Sequence, residues 1–291
     1  MADSVHFGPA GNSESFSAMG YRSTKDVPEY LEKMGLDAYE YQCGRGVRIS
    51  EAGAAALKEG AQQRGILLSL HAPYFISLSS VEEEKREKSV EYILQSAQAA
   101  RMIGAQKIII HAGSCSKMTR AKATSLAFAT LQKAQQALDE AGYQEIIMCP
   151  ETMGKINQLG TLEEVLALCK VDERMLPCID FGHINARTGG AICTEQDYIE
   201  ILEKIENALG TERMRRFHSH FSKIEYTTGG EKRHLTFSDT VYGPDFAPLA
   251  EALLKKQAVP TIICESAGTQ AEDAVQMQQM YHAAVEKQRE A

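Results

Sequence analysis

Residues 176–186 read LPCIDFGHINA. An apolar run with the composition of a buried strand stops at Asp180, and two residues separate that carboxylate from His183. The same design recurs along the chain. Short β-rich runs (SVHFGPA, AYEYQ, ILLSLHAP, KIIIHAG, EIIMCPET, LPCIDFGH, RFHSHFS and TIICES) alternate with helix-like stretches. Two of these, VEEEKREKSVEYILQSAQAARMIG and TRAKATSLAFATLQKAQQALDEAG, are polar on one side and end at a glycine that reads as a C-cap. The others are DVPEYLEKMG, ISEAGAAALKEGAQQRG, TLEEVLALCK, TEQDYIEILEKIENALG, DFAPLAEALLKK and AEDAVQMQQMYHAAVEK. Strand-then-helix units of this number and length predict an α/β fold, a (β/α)8 barrel forming one domain over residues 1–291.

Composition agrees with that size. At 291 residues and 44% hydrophobic, the chain can build one large core, and α/β barrels run to about 250 residues as single domains. No apolar run reaches membrane-spanning length, and the N-terminal MADSVHFGPAGNSESF lacks the basic and apolar regions of a signal peptide. The seven cysteines form no CxxC pair. Cys149, Cys178 and Cys264 fall inside strand-like runs, where cysteine behaves as a small hydrophobe. This pattern predicts reduced thiols and a cytoplasmic protein. The formal charge of −8 argues against nucleic acid, although bound cations can reverse the sign at one face.

Polar residues end the strands in order: His71, His111, Glu151, Asp180 with His183 beyond it, His220 and Glu265. Strand alternation turns His111 and Ile109 into the barrel and Ile108 and Ile110 towards the helices. Glu265 shares the inward face with Ile263, while Ile262 and Cys264 face outwards. All of these strand ends meet at the C-terminal mouth, where barrels of this type keep their chemistry. Several carboxylates crowded together repel one another unless cations lie between them. Imidazoles with carboxylates, and no cysteine placed to help, form a ligand set for Zn, Mn or Fe.

The motifs HAPYFISL (71–78), IIIHAGS (108–114), CPET (149–152), CIDFGH (178–183), HFS (220–222) and CES (264–266) resemble the endonuclease IV family. These are metal-dependent apurinic/apyrimidinic endonucleases of the xylose-isomerase-like TIM barrel superfamily. The resemblance runs in order from FGPAG near the N-terminus to the eighth strand. It implies a zinc-dependent phosphodiesterase of DNA repair with three zinc-like ions. His71 and His111 would hold one ion, and Glu151 would bridge to a second completed by Asp180, His220 and Glu265. His183 would hold the third with Glu231 and His234. The family pattern there is Asp, one residue, then His, whereas this chain has GGEKRHLTF, with two residues between Glu231 and His234. Closely spaced cations can deprotonate a water and clamp both oxygens of a phosphodiester. Glu151 and Glu265 flank the place for that water, and either could orient it or accept its proton.

The implied partner is double-stranded DNA carrying abasic sites, met by a monomer with no obligate protein partner. Tyr74 and Phe75 occupy the places of the family's aromatic and apolar pair that enters the stack at the lesion. Candidate phosphate contacts in the mouth loops are Arg45, Arg48, Lys117, Arg120, Lys155, Arg187, Lys223, Lys232 and Arg233. His218 should point inwards below His220 as a core residue, and His282 should lie on the surface of the last helix. His6, on the first strand, has no assigned role. Two other functions use the same fold. A sugar isomerase or epimerase would need only Glu151, Asp180, His220 and Glu265 around one metal. A non-catalytic protein would bind damaged DNA or metal. The additional His71, His111, His183 and His234 separate the first reading from the isomerase.

Overall fold

The computed structural model describes residues 4–290. Its barrel strands are β1 (His6–Pro9), β2 (Ala38–Gln42), β3 (Leu67–His71), β4 (Lys107–Ile110), β5 (Ile147–Pro150), β6 (Cys178–Asp180), β7 (His218–Phe221) and, last in the chain, β10 (Thr261–Cys264). A hairpin of β8 (Ile224–Thr227) and β9 (Gly230–His234) follows β7. The helices are α1 (Glu14–Ala18), α2 (Val27–Met34), α3 (Glu51–Arg64), α4 (Glu83–Ile103), α5 (Arg120–Glu140) and α6 (Leu162–Leu168). They continue with α7 (Phe181–Arg187), α8 (Glu195–Leu209), α9 (Thr211–Arg215), α10 (Phe246–Lys255) and α11 (Gln270–Glu290).

Two parallel sheets, ordered β1–β10–β7–β6 and β2–β3–β4–β5, share the barrel wall. Single parallel bridges, Ala10 to Glu40 and Glu151 to Cys178, join them at both seams and close the eight-stranded ring. The main core lies between this wall and the helices, and contains Ile108, Ile110, Ile262 and Cys264. Burying each such aliphatic side chain contributes roughly 1.5–3 kcal/mol. The inward layer is different. Ile263 packs with Ala10 and Ala38, and Ile109 packs with Cys149 and Cys178. Among these inward residues, Glu40, Ser69, His218 and His220 are also buried. The predicted alternation therefore holds on β4 and β10, but the barrel lumen carries polar groups below its mouth.

Helix boundaries follow local chemistry. Helix α4 opens with Glu83 and Glu84 and stops at Gly104, whose φ of 82° suits a residue without Cβ. Helix α5 starts at Thr119, whose side chain accepts from the Lys122 amide. One strand end agrees with the sequence reading, and one segment differs from it. Strand β6 ends at Asp180 as expected, and FGH beyond it opens α7. The segment after β7, read as a loop, is the β8–β9 hairpin. No helix among the described residues is long and apolar enough to cross a membrane.

Candidate metal centre

Asp180 does two things at once. As the N-cap of α7, its Oδ1 accepts from the His183 amide at 2.7 Å, which places His183 on the first helical turn above the barrel. Its Oδ2 is buried and accepts no hydrogen bond. His183 Nδ1 lies 3.1 Å from that oxygen, but its proton points to the Thr152 carbonyl at 2.9 Å. The cap thus leaves one carboxylate oxygen aimed into the site.

Around it the structure gathers the predicted residues into three adjoining groups. Donor atoms within each group lie within 4.8 Å of one another: His71, His111 and Glu151; Glu151, Asp180, His220 and Glu265; His183, Glu231 and His234. Glu151 belongs to two of them. Its Oε2 lies 3.0 Å from His111 Nε2 and 3.4 Å from His71 Nε2, while Oε1 lies 3.1 Å from His220 Nδ1. His183 Nε2 faces Glu231 Oε2 at 3.4 Å, and His234 Nε2 faces Glu231 Oε1 at 3.9 Å.

The hairpin explains how Glu231 and His234 share a site despite their spacing. Residues three apart on a regular strand point to opposite faces. Here the register passes from Tyr226 opposite Glu231 to Glu225 opposite Arg233, so Lys232 is an extra, bulged residue. Glu231 and His234 consequently pair with Tyr226 and Ile224, which occupy one face of β8. The hairpin docks on the β5–α6 loop through Glu231 N to Gly154 O and Ile156 N to Gly229 O, each 3.1 Å. Only glycine fits at 154, since a Cβ there would lie 2.5 Å from Glu231 Cβ and 2.9 Å from His183 Cδ2.

Most of these imidazoles are oriented from behind. His71 Nδ1 donates to the Ala72 carbonyl at 2.8 Å, which leaves Nε2 free towards Glu151. His183 does the same through Thr152, and His234 Nδ1 bonds Ser222 Oγ at 2.8 Å. Such partners fix the tautomer of a metal-binding imidazole. Electrostatics point the same way. Burial pushes Asp180 up, His183 pulls it back, and Glu265 and Glu151 push it up again, to about 6. Burial opposes charge on His183, yet Asp180, Glu151 and Glu231 raise it to about 10. Burial also opposes ionisation of Glu151, but His220, His111 and His183 hold it well below the usual range. Without cations, protons on imidazole must hold these carboxylates together. The donor set and the orphaned Asp180 oxygen suit zinc-class ions.

Residues outside the ligand set divide clearly. Tyr74 and Phe75 stand at the rim, 58% and 49% exposed. Tyr74 stacks on His111 with 5.6 Å between centroids, and Phe75 packs edge-on against Tyr92. Arg45, Arg48, Lys117 and Lys155 are at least partly exposed. Five other cations already have partners within the protein. Arg187 donates to the carbonyls of Met153, Lys155, Ile156 and Gln158, so it holds the β5–α6 loop in shape. Lys223 bonds the Asp239 carbonyl and pairs with Asp245. Arg120 is clamped by Glu164, and Arg233 shares Glu225 with Lys232. Arg187→Lys should destabilise the fold by about 1–3 kcal/mol in thermal melts.

His218 is buried, with Nε2 2.9 Å from Glu40, and His282 is exposed on α11. His6 lies at the opposite end of the barrel, paired with Asp37 at 2.8 Å. The sequence reading missed Glu40, which sits in the lumen below His220. Its signal was present in AYEYQ, where alternation turns both tyrosines towards the helices and Glu40 inwards.

A family profile described as a xylose isomerase-like TIM barrel matches residues 28–283. The chain belongs to that family. Among relatives, it is 37% identical over 238 residues to an uncharacterized protein of Methanocaldococcus jannaschii, covering 82% of this chain and 85% of the other. It is 24% identical to endonuclease 4 of Thermus thermophilus over 71% of this chain and 69% of that one. Solved structures of similar fold include an endonuclease IV from Thermus thermophilus, with TM-score 0.67, 19% identity and 98% coverage of both chains. A D-tagatose 3-epimerase-like protein has TM-score 0.70 and 21% identity, covering 90% of this chain and 93% of the other. At these identities the structural likeness establishes the barrel alone.

Proposed function

We propose that this protein is a single-domain, metal-dependent apurinic/apyrimidinic endonuclease that cuts duplex DNA 5′ to an abasic site and leaves a 3′-hydroxyl. The observation that carries the reading is the adjacency of three ligand groups, two of them sharing Glu151. A one-metal isomerase needs only the quartet Glu151, Asp180, His220 and Glu265. It has no use for His71 and His111, or for a bulged hairpin that delivers Glu231 and His234 to His183. Bound zinc-class ions would supply Lewis-acid activation of water and neutralise charge at the scissile phosphate.

The chain's own residues do the rest. Glu265 is the more accessible of the two central glutamates, with 16% of its side chain exposed against 1% for Glu151. It accepts the proton of the attacking water, while Glu151 fixes the geometry of the two groups it joins. Tyr74 and Phe75 enter the stack where a base is missing. Arg45 and Lys117 contact phosphates without reading sequence.

The test is a labelled duplex with one abasic analogue, offered to fully metallated protein. Incision 5′ to the analogue is expected, chelation should abolish it, and magnesium alone should not restore it. No incision, together with interconversion of ketoses by the same preparation, would overturn the reading in favour of an epimerase. The Tyr74→Ala, Phe75→Ala double variant should bind abasic duplex about tenfold more weakly or worse, in line with stacking magnitudes. Its binding to intact duplex should change little. Equal losses on both duplexes would rule out a wedge specific to the lesion.

A further inference from the structure

Glu40 is a carboxylate buried in the barrel lumen, one layer below the mouth. Such a group is tolerated only when donors surround it. Ser69 Oγ donates to Oε2 at 2.8 Å, His218 Nε2 lies 2.9 Å from the same oxygen, and Gln42 Nε2 donates to Oε1 at 3.2 Å. The remaining neighbour is His220, whose Nε2 lies 2.9 Å from Oε1. This is a contact of charge and not a hydrogen bond: Nε2 has no hydrogen-bond partner among the described residues.

The other nitrogen of His220 points upwards. Nδ1 lies 3.1 Å from Glu151 Oε1 and 3.6 Å from Glu265 Oε2. A neutral imidazole has one proton and one lone pair. With the proton on Nδ1, the unprotonated Nε2 would lie 2.9 Å from the Glu40 carboxylate with no positive charge to offset the repulsion. With the proton on Nε2, its partial positive charge lies beside the Glu40 carboxylate, and Nδ1 offers its lone pair to the mouth. His71, His183 and His234 are oriented by neutral oxygens of Ala72, Thr152 and Ser222. His220 alone among these four has a carboxylate behind it.

We propose that Glu40 is a positioning residue for the metal centre, holding His220 as its Nε2–H tautomer so that Nδ1 is presented as a strong donor to the ion shared by Glu151, Asp180 and Glu265. His218 and Ser69 serve this role indirectly by pinning Oε2, which keeps Oε1 under His220. The inference rests on the proposed reading of His220 as a ligand. Outer carboxylate partners of this kind typically change metal affinity by about 10–100-fold when removed.

The experiment compares Glu40→Gln, Glu40→Asp and His220→Ala, with metal affinity read by chelator competition and the site's geometry by the visible spectrum of the cobalt-substituted protein. Glu40→Gln is near-isosteric but neutral, and its amide would set a second donor against two imidazole N–H groups. It should weaken one ion by about 10–100-fold and shift the cobalt bands, while the ion at His183, Glu231 and His234 keeps its affinity. Glu40→Asp retains the buried charge but draws it back by one methylene, so it should fold where Glu40→Gln fails and still lose part of that affinity. His220→Ala should lose the same ion outright. Full metal content in His220→Ala would remove His220 from the ligand set and overturn the reading beneath this inference. Loss of the ion in His220→Ala, with wild-type affinity and spectrum in both Glu40 variants, would overturn the role of Glu40 alone. A lowered melting temperature of the metal-free Glu40 variants with unchanged affinity would do the same, since it marks a merely structural carboxylate.

Discussion

Glu151→Ala is expected to lower metal content at two sites together and to reduce incision by at least about a thousandfold, the scale on which loss of preorganised charge stabilisation is felt. The reason is geometric. Oε2 faces the imidazoles of His71 and His111, and Oε1 faces His220. Among the described residues no other side chain belongs to both groups, so its removal leaves two imidazoles on one side and Asp180, His220 and Glu265 on the other. Glu151→Gln keeps the shape but removes the negative charge that both cations require, so it should behave nearly as badly. Metal analysis of the purified variants checks this directly. A Glu151→Ala protein with full metal content would end the bridging assignment.

The second large effect is expected at the hairpin. Glu231→Ala or His234→Ala should lose one ion, keep the others, and lower incision by about 10²–10³-fold. Deleting Lys232 together with Arg233 is the sharper variant because it removes neither ligand. It makes Glu231 and His234 adjacent, so alternation turns them to opposite faces of β9, whereas loss of Lys232 alone would leave them two apart on one face. His234 should then turn away from His183, and the same ion should be lost. If the deletion variant keeps wild-type metal content, the placement of Glu231 and His234 on one face does not build the site, and His183 needs another role, such as direct contact with substrate.

Much of this arrangement can be read from residue order because parallel strands leave little freedom. An apolar run whose last inward position is His or Glu must place that side chain at the mouth once the barrel closes. For this reason His71, His111, Glu151, Asp180, His220 and Glu265 converge. The bulge at Lys232 was not legible, since one inserted residue in a short hairpin leaves no hydrophobic pattern to break. The partners of the cations were not legible for a different reason. Charge alone does not tell whether a guanidinium faces solvent or folds back, and Arg187 satisfies four loop carbonyls. Glu40 could have been found from alternation, but a lone carboxylate between two tyrosines reads as surface until His218 and His220 are placed beside it.

Whether this mouth is built for several ions or for one decides between the nuclease and the isomerase. The most direct measurement is the number of transition-metal ions bound per chain in protein purified without chelator and brought to saturation with zinc. The three ligand groups predict about three tightly held ions, one for each group. A single ion per chain, held by Glu151, Asp180, His220 and Glu265 with the flanking histidines empty, would contradict the multi-metal reading and place the protein with the one-metal barrels.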